Sequence, residues 1–231
     1  PGNKIVNLQA VRNAAEPAGT LASSVYDRLR DDILSGALAP DDKLRTEALQ
    51  ERYGVGNSPL REALNRLSAD GLVTREDQKG FRVATASRAD LEELVKTRCW
   101  LEEIALRQSI ENGGEEWEEA IVLQYHRLSR VRRPSSEDEY VINFEWEARH
   151  RAFHLALLSA CGSHWLMQYC AQLNDQAGRY RQLAIIVSHP KRNEHEAIMR
   201  AVTTRDADEA VRLLLAHYRR TAGIIKNYIS E

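Results

Sequence analysis

The periodicity of the sequence changes near residue 86. Before that point the helical patterns are short and punctuated by turn residues. One pattern runs to Gly36, a second, LRTEALQERYG, ends at Gly54, and a third follows at once in VGNSPLREALNRLSADG. From residue 87 onward helical spacing continues nearly to the end of the chain, without strand-like alternation. The pattern therefore predicts two domains, residues 20–86 and 87–231.

The third short helix of the first domain has one apolar face. Its apolar residues recur at spacings of three and four: Leu60, Ala63, Leu64 and Leu67. We expect Ser58 to cap this helix and Pro59 to occupy its first turn. The opposite face, with Arg61 and Arg66, is then left to solvent or to a partner.

The segment after this helix, LVTREDQKGFRVA, alternates polar and apolar residues around a turn at Gln78, Lys79 and Gly80. This alternation is typical of a two-stranded hairpin. Three short helices followed by a hairpin make a winged helix-turn-helix, in which the helix after the turn enters the DNA major groove. The overall net charge of -2 favours no partner, but residues 52–82 carry six basic and four acidic side chains. The alternative is that these charges are only the solvated faces of a small packing domain.

Composition narrows the remaining classes of protein. The apolar runs are far shorter than the roughly 20 residues that cross a bilayer, and no signal-like start is present, so we expect a cytoplasmic protein with no membrane partner. Three cysteines without a CxxC pair favour reduced thiols over a disulfide scaffold or a zinc ribbon. Residues 1–19 show little periodicity, and we expect them to form a flexible arm.

The second domain reads as about six helices in an antiparallel bundle, which makes the whole protein mainly α. The second of these helices should end at Pro134, and the third should be capped by Ser135 or Ser136 and stop at Gly162. The next helix follows a Ser163 cap, although Gly178 is unfavourable within it. A bundle of this size can enclose a cavity for a small molecule.

All seven histidines of the chain fall in this bundle. His150 and His154 are four residues apart and therefore share one face of a helix. Such pairs are more often surface or satisfied core histidines than metal ligands. Here, however, His195 and His217 lie on two further helices whose apolar residues also face the core, so the four side chains could form a nitrogen cage for a metal.

The first domain resembles the DNA-binding domain of GntR-type transcription regulators of the FadR-like branch. The likeness rests on VYDRLRDDILSGALAPDDKLRTEALQERYGVGNSPLREALNRLSADGLV followed by KGFRV. It implies that residues of the turn, the third helix and the hairpin bind DNA: Asn57, Ser58, Pro59, Arg61, Arg66, Lys79 and Gly80. Gly56 stands where the family usually has Ser or Thr, and Asn57 where it usually has Arg. Because Asn suits adenine whereas Arg suits guanine, we expect a different operator sequence or affinity.

The second domain resembles the all-helical FCD effector-binding domain of the same regulators. TRCWLEEIAL, HRAFHLALLSACGS, NEHEAIMRAV and RDADEAVRLLLAHY carry the likeness. In many members an Asp-x-x-x-His pattern and two later histidines bind a divalent metal, which implies His154, His195 and His217 as ligands here. His150 stands at the Asp position. An imidazole there favours zinc or nickel over manganese or magnesium; alternatively His150 does not bind, and three histidines hold the metal.

The resemblance also implies an effector site beside the metal. An arginine of the first long helix often holds a carboxylate in this family, and Arg98 matches it. The alternative is that Arg98 forms a surface salt bridge with Glu102, four residues later. Arg179, Tyr180 and Arg181 are further candidates, whereas Ser163 replaces the family's usual Asn before the fourth helix of the bundle.

These features together predict a homodimeric repressor that binds an inverted-repeat operator and responds to a small organic acid. A metal-dependent hydrolase is the main rival, but HEAIM at residues 195–199 lacks the second histidine of the HExxH motif. The sequence also contains no Gly-rich phosphate loop and no nucleophile elbow. We therefore expect no enzyme activity. A helical interaction module that does not bind DNA is the other alternative.

Overall fold

The computed structural model describes residues 20–77, 79–131, 144–183 and 194–229. It confirms a mainly α protein with a winged helix-turn-helix domain followed by a helical bundle. Within the described ranges the helices are α1 (Leu21–Leu34), α2 (Thr46–Tyr53), α3 (Asn57–Ala69), α4 (Arg88–Asn112), α5 (Glu115–Arg130), α6 (Phe144–Leu158), α7 (His164–Leu183), α8 (Glu194–Thr203) and α9 (Ala207–Ile225). The strands are β1 (Lys43–Leu44), β2 (Val73–Glu76) and β3 (Gly80–Val83).

The first domain packs α1, α2 and α3 over a small antiparallel sheet of order β1-β3-β2. The predicted hairpin is β2 and β3, which pair from Val73 opposite Val83 to Glu76 opposite Gly80. Gly80 has φ +93°, a backbone conformation that side chains rarely adopt, so a glycine suits this end of the turn. Strand β1 was not predicted, because two residues are too few to show an alternating pattern.

The turn between α2 and α3 differs in one detail from the prediction. Gly54 ends α2 in the left-handed conformation, with φ +66°, as its position in the pattern indicates. Helix α3, however, already begins at Asn57 with Gly56 at the N-cap, and no side chain caps it within the described residues. The predicted Ser58 cap is therefore wrong, since Ser58 lies inside the first turn. Its side chain is exposed instead.

The second domain buries its apolar residues in two clusters. The larger cluster includes Leu106, Phe153, Leu157 and Leu214, and the smaller one includes Leu91, Leu94, Ala177 and Ile225. Helix α7 runs through Gly178 without a break, because the burial of its neighbours outweighs the ~1 kcal/mol helix penalty of a glycine.

Two predicted boundaries of the bundle can be compared with the structure. The Ser163 Oγ caps α7 by accepting a hydrogen bond of 3.2 Å from the Leu166 N–H, as expected. The predicted boundary at Pro134, Ser135 and Ser136 lies outside the described residues, as do residues 1–19 and Gln78. None of the described helices is long and apolar enough to span a lipid bilayer.

Helix α7 lies at the junction of the two domains. Its Asp175 forms an ion pair of 2.7 Å with Arg30 of α1, and Gln176 donates a hydrogen bond of 2.8 Å to the Asp70 carbonyl oxygen at the end of α3. Arg179 donates to the carbonyl oxygens of Ala84 and Thr85, at 2.7 and 3.1 Å, just after β3. The winged helix-turn-helix domain is thus held to the bundle mainly through one helix.

Candidate metal and effector site

Three helices bring four histidines together in the interior of the bundle. Helix α6 places His150 and His154 on one face, and their Nε2 atoms lie 3.0 Å apart. Helices α8 and α9 add His195 and His217, so that four ligand nitrogens lie within 4.8 Å of one another. His150, His154 and His217 are buried and His195 is partly buried.

The spacing of these nitrogens suits a single metal ion. Metal–nitrogen bonds of roughly 2.1 Å require ligand atoms separated by about 3 to 4 Å. The separation of the His150 and His154 Nε2 atoms is 3.0 Å and no separation exceeds 4.8 Å, so the widest pair would close by at most about 1 to 2 Å around one ion. Four imidazoles are a donor set that zinc, nickel and copper prefer to magnesium or calcium.

The protonation of the buried pair also suits a metal. Burial lowers the pKa of both His150 and His154 well below the usual value, and the neighbouring histidines and Arg181 lower it further. Both imidazoles are therefore neutral near pH 7. A neutral imidazole offers the nitrogen lone pair that a metal ligand needs.

A chain of buried hydrogen bonds fixes the orientation of His154. Burial, then the Glu102 carboxylate, raise the pKa of Tyr218 well above its usual value, so the phenol keeps its proton. The Tyr218 hydroxyl uses this proton to donate a hydrogen bond to Glu102. Its oxygen is therefore the acceptor in the hydrogen bond of 3.1 Å from the Nδ1–H of His154. This tautomer leaves the His154 Nε2 lone pair directed at the other histidines.

His217 and His150 differ in how they are supported. The Nδ1 of His217 lies 2.8 Å from a carboxylate oxygen of Glu194, which also pairs with Arg220. His150 stacks on Trp146, with ring centroids 4.5 Å apart, but its Nδ1 has no hydrogen-bond partner among the described residues. Outer hydrogen bonds orient metal ligands. His154 and His217 are thus held more firmly than His150.

Arg98 is buried beside the hydrogen-bond chain that orients His154, and its ion pair with Glu102 is not on the surface. Its Nε donates a hydrogen bond of 2.7 Å to Glu102, but the two side chains are only 3% and 1% exposed. Burial by itself would lower the pKa of Arg98, yet the Glu102 carboxylate raises it, so the guanidinium stays charged. The guanidinium carbon sits 4.0 Å from the centre of the Tyr218 ring. Its Nη2 is buried without a hydrogen-bond partner in the part of the chain that is described.

The three other candidate effector residues separate into two groups. Arg181 lies close enough to lower the pKa of His150 and His154, and it forms an ion pair of 2.9 Å with Glu147. Arg179 and Tyr180, by contrast, point to the domain junction: Arg179 binds the carbonyls after β3, and Tyr180 donates to Asp90. The prediction that these two line the effector pocket is not supported, because consecutive residues of a helix face different directions.

The predicted DNA contacts also separate by helix face. Asn57, Ser58 and Arg61 are exposed at the N-terminal end of α3, with Pro59 half-buried among them. Lys79 and Gly80 are exposed at the turn of the hairpin. Arg66 lies toward the other end of α3, where it stacks on Tyr26 of α1 at 4.2 Å and donates to Ser23. Arg66 is exposed as well but stacks within the domain, so its role as a DNA contact stays a prediction.

Sequence reasoning did not find the residues that support the histidines. Glu102 entered only as a salt-bridge partner of Arg98, and the i,i+4 spacing could have indicated a joint role. Tyr218 and Glu194 carry no such signal, because their contacts join separate helices.

Family models match both domains. The model of the bacterial regulatory proteins of the gntR family matches residues 21–83, and the FCD domain model matches residues 93–220. The second match alone covers more than half of the chain, and neither family describes an enzyme.

Similar proteins carry the names of transcriptional regulators. The chain is 38% identical to the uncharacterized HTH-type transcriptional regulator BphR of Paraburkholderia xenovorans, over 90% of this chain and 86% of the relative. It is 36% identical to the HTH-type transcriptional repressor GlaR of Escherichia coli, over 87% of this chain and 94% of the relative.

Solved structures share the fold. McbR/YncC of E. coli superposes with a TM-score of 0.74 at 21% identity, over 90% of this chain and 98% of that one. A GntR family member from Pseudomonas syringae gives 0.53 at 24% identity, over 92% and 87% of the two chains. With an exposed recognition helix and wing at one end and a buried cluster of histidines at the other, this chain belongs to the GntR family of bacterial transcriptional regulators, in the branch that carries an FCD effector domain.

Proposed function

We propose that this regulator is a cytoplasmic repressor that senses a small carboxylate at a zinc or nickel ion held by His150, His154, His195 and His217. The observation that carries the proposal is the unpartnered Nη2 of Arg98, buried in the same layer as the four histidines. A buried charged N–H without an acceptor lowers the stability of the folded protein, so such a group indicates that a ligand normally accepts its hydrogen bond. A carboxylate supplies one.

The charges around the four histidines would favour an anion once a divalent cation is bound. Arg98 and Arg181 both lie near the histidines, and Glu102 and Glu147 offset their charges. Four imidazole ligands add no negative charge, so a bound divalent cation would give the site a net positive charge. The metal would supply a Lewis-acidic position for one oxygen of the effector. Arg98 would hold the carboxylate through its Nη2.

A route from the pocket to the DNA-binding domain runs through Asp175 of α7. This carboxylate binds Arg151 of α6, at 2.5 Å, and Arg30 of α1, at 2.7 Å. Arg151 directly follows His150 in the sequence, so a shift of α6 on effector binding would alter one end of this arrangement. We propose that the shared carboxylate transmits that shift to the DNA-binding domain.

The DNA contacts in this proposal are Asn57, Ser58, Arg61, Lys79 and Gly80, which the domain exposes on the recognition helix and the wing. One recognition helix reads only a short half-site. A two-fold homodimer would therefore read an inverted repeat. The name of the E. coli relative, a repressor, supports the same role here.

The pocket can be tested with a charge-neutral double variant, Arg98→Gln/Glu102→Gln. A single substitution would leave a buried charge without its partner, whereas the double variant removes both charges. Because the amide oxygen introduced by Glu102→Gln can still accept the hydrogen bond from Tyr218, we expect metal content to stay within about twofold of wild type. Carboxylate affinity should fall roughly 10- to 100-fold, since a charge-assisted hydrogen bond is lost. The measurements are elemental analysis and calorimetric titration of metal-loaded protein with acetate, lactate, malate and glutarate.

Helix α4 offers a matched control. Glu103→Gln/Arg107→Gln removes an i,i+4 ion pair of the same kind from the surface of the same helix, where the side chains are 39% and 41% exposed. It should leave carboxylate affinity unchanged. Equal carboxylate affinities in the two double variants would contradict an effector role for Arg98.

A further inference from the structure

A second unpartnered polar group lies in the buried layer that holds the histidines. Asn174 of α7 is 2% exposed, and neither its Nδ2 nor its Oδ1 has a hydrogen-bond partner among the described residues. A buried amide with both ends unsatisfied is rare in native proteins. Asn174 takes no part in the proposed contacts to the metal or to Arg98.

The position of Asn174 follows from the two apolar clusters of the bundle. Along α7, Cys170 belongs to the larger cluster and Ala177 to the smaller one, so Asn174 lies between them. Along α4, Leu94 belongs to the smaller cluster and Ala105 to the larger one, and Arg98 and Glu102 lie between these. The clusters thus enclose a polar layer to which α4 and α7 both contribute.

The helix register places Asn174 and Arg98 within about 3 Å of the same height along the two helices. Tyr180, near the end of α7, binds Asp90 at the start of α4, so the two contacting helices run antiparallel. Asn174 lies six residues before Tyr180 on α7, and Arg98 lies eight residues after Asp90 on α4. From this contact, both positions therefore lie in the same direction along the antiparallel pair. Asn174 also shares a helix face with Arg181, seven residues on, which forms an ion pair of 2.9 Å with Glu147 of α6, the helix that carries His150 and His154.

From this placement we propose that Asn174 is a second anchor of the effector and selects a carboxylic acid that also carries a hydroxyl group. The inference rests on the proposed function of the pocket. A carboxylate can only accept hydrogen bonds, and Arg98 already offers it a donor. The amide of Asn174 offers both a donor and an acceptor. A hydroxyl group, which donates and accepts, satisfies both.

Matched pairs of acids test this selectivity on metal-loaded protein. The pairs are propionate and lactate, succinate and malate, and glutarate and 2-hydroxyglutarate, which differ only by the hydroxyl. In wild type we expect the hydroxy acid of at least one pair to bind roughly tenfold more tightly, because it satisfies the buried amide. In Asn174→Ala the two members should bind equally. Calorimetric titration measures each dissociation constant.

A second measurement needs no ligand. If the effector is the partner of the amide, the amide contributes nothing to the stability of the unliganded protein. Asn174→Ala should then leave the unliganded, metal-loaded protein at least as thermally stable as wild type, since a buried unpaired group is removed. Ser109→Ala is the matched control: its hydroxyl is also buried without a partner in the described chain, but it lies on α4 between Leu106 and Ile110 of the larger apolar cluster. It should leave all acid affinities unchanged.

The outcomes separate this inference from the proposed function. Acids that bind in an Arg98-dependent way without any preference for the hydroxyl would overturn the role of Asn174 alone. A hydroxyl preference that persists in Asn174→Ala, or a lower melting temperature of that variant, would also overturn it. If none of the six acids binds, both proposals are wrong.

Discussion

Replacing His154 by alanine is expected to weaken zinc or nickel binding by more than ~100-fold, since loss of outer hydrogen bonds alone costs 10- to 100-fold at metal sites. His154 is fully buried, its Nε2 lies 3.0 Å from that of His150, and Tyr218 fixes its tautomer. The variant removes the best-supported ligand of the four. Elemental analysis after dialysis, followed by competition with a chelator of known affinity, measures the loss.

Two further variants at the same site are expected to weaken metal binding less than His154→Ala does. Tyr218→Phe keeps the ring over which Arg98 stacks but removes the hydroxyl that accepts from His154, so we expect a loss of roughly tenfold in metal affinity.

His150→Ala should also lower metal affinity by about tenfold, which is less than for His154→Ala. The reason is that the Nδ1 of His150 has no hydrogen-bond partner among the described residues to hold the ring. His126→Ala, an exposed histidine of α5, is the control. Equal metal content in the His126 and His154 variants would refute the site.

Replacing Arg61 by alanine is expected to weaken operator binding by about 1 to 3 kcal/mol, or roughly 5- to 150-fold, if its guanidinium contacts a base edge. Arg61 is exposed one turn after Asn57, at the end of α3 that a winged helix-turn-helix would direct into a major groove. Electrophoretic mobility shifts on an operator selected from random duplexes with the wild-type protein measure the change. The salt slope should stay near that of wild type for a base contact and fall by about one for a phosphate contact.

Arg127→Ala provides the control for Arg61. It removes the same charge from the exposed surface of α5, on the bundle, so it should leave operator affinity nearly unchanged. A loss of affinity as large as that of Arg61→Ala would show that net charge alone explains binding. The recognition helix would then not be α3.

The sequence predicts the architecture well because the relevant signals are local. The spacing of Leu60, Ala63, Leu64 and Leu67 predicts the buried face of α3, and all four side chains are buried. Likewise, the spacing of four predicts that His150 and His154 share a face of α6. Their convergence with His195 and His217 depends on how three helices pack, and the resemblance to the FCD domain supplied that step.

The sequence is less informative where contacts join distant segments. Arg179 and Tyr180 sit next to Arg181 in the sequence, but α7 directs them at the domain junction, on a different side from the histidines. Arg66 shares α3 with Arg61, yet Tyr26 of α1 holds its guanidinium. Periodicity says which residues share a face, but it does not say which neighbour that face meets. The sequence does not single out Asn174 for the same reason, since an isolated Asn in a helix does not indicate what its side chain contacts.

The most direct test of the central claim is the operator affinity of metal-loaded protein with and without saturating lactate, malate or 2-hydroxyglutarate, at one fixed salt concentration. The account predicts that an acid that binds the pocket changes operator affinity by at least about fivefold, as coupled sites typically do. The change should disappear in the metal-free protein and in Arg98→Gln/Glu102→Gln. An acid that binds in the pocket and leaves operator affinity unchanged would contradict the account.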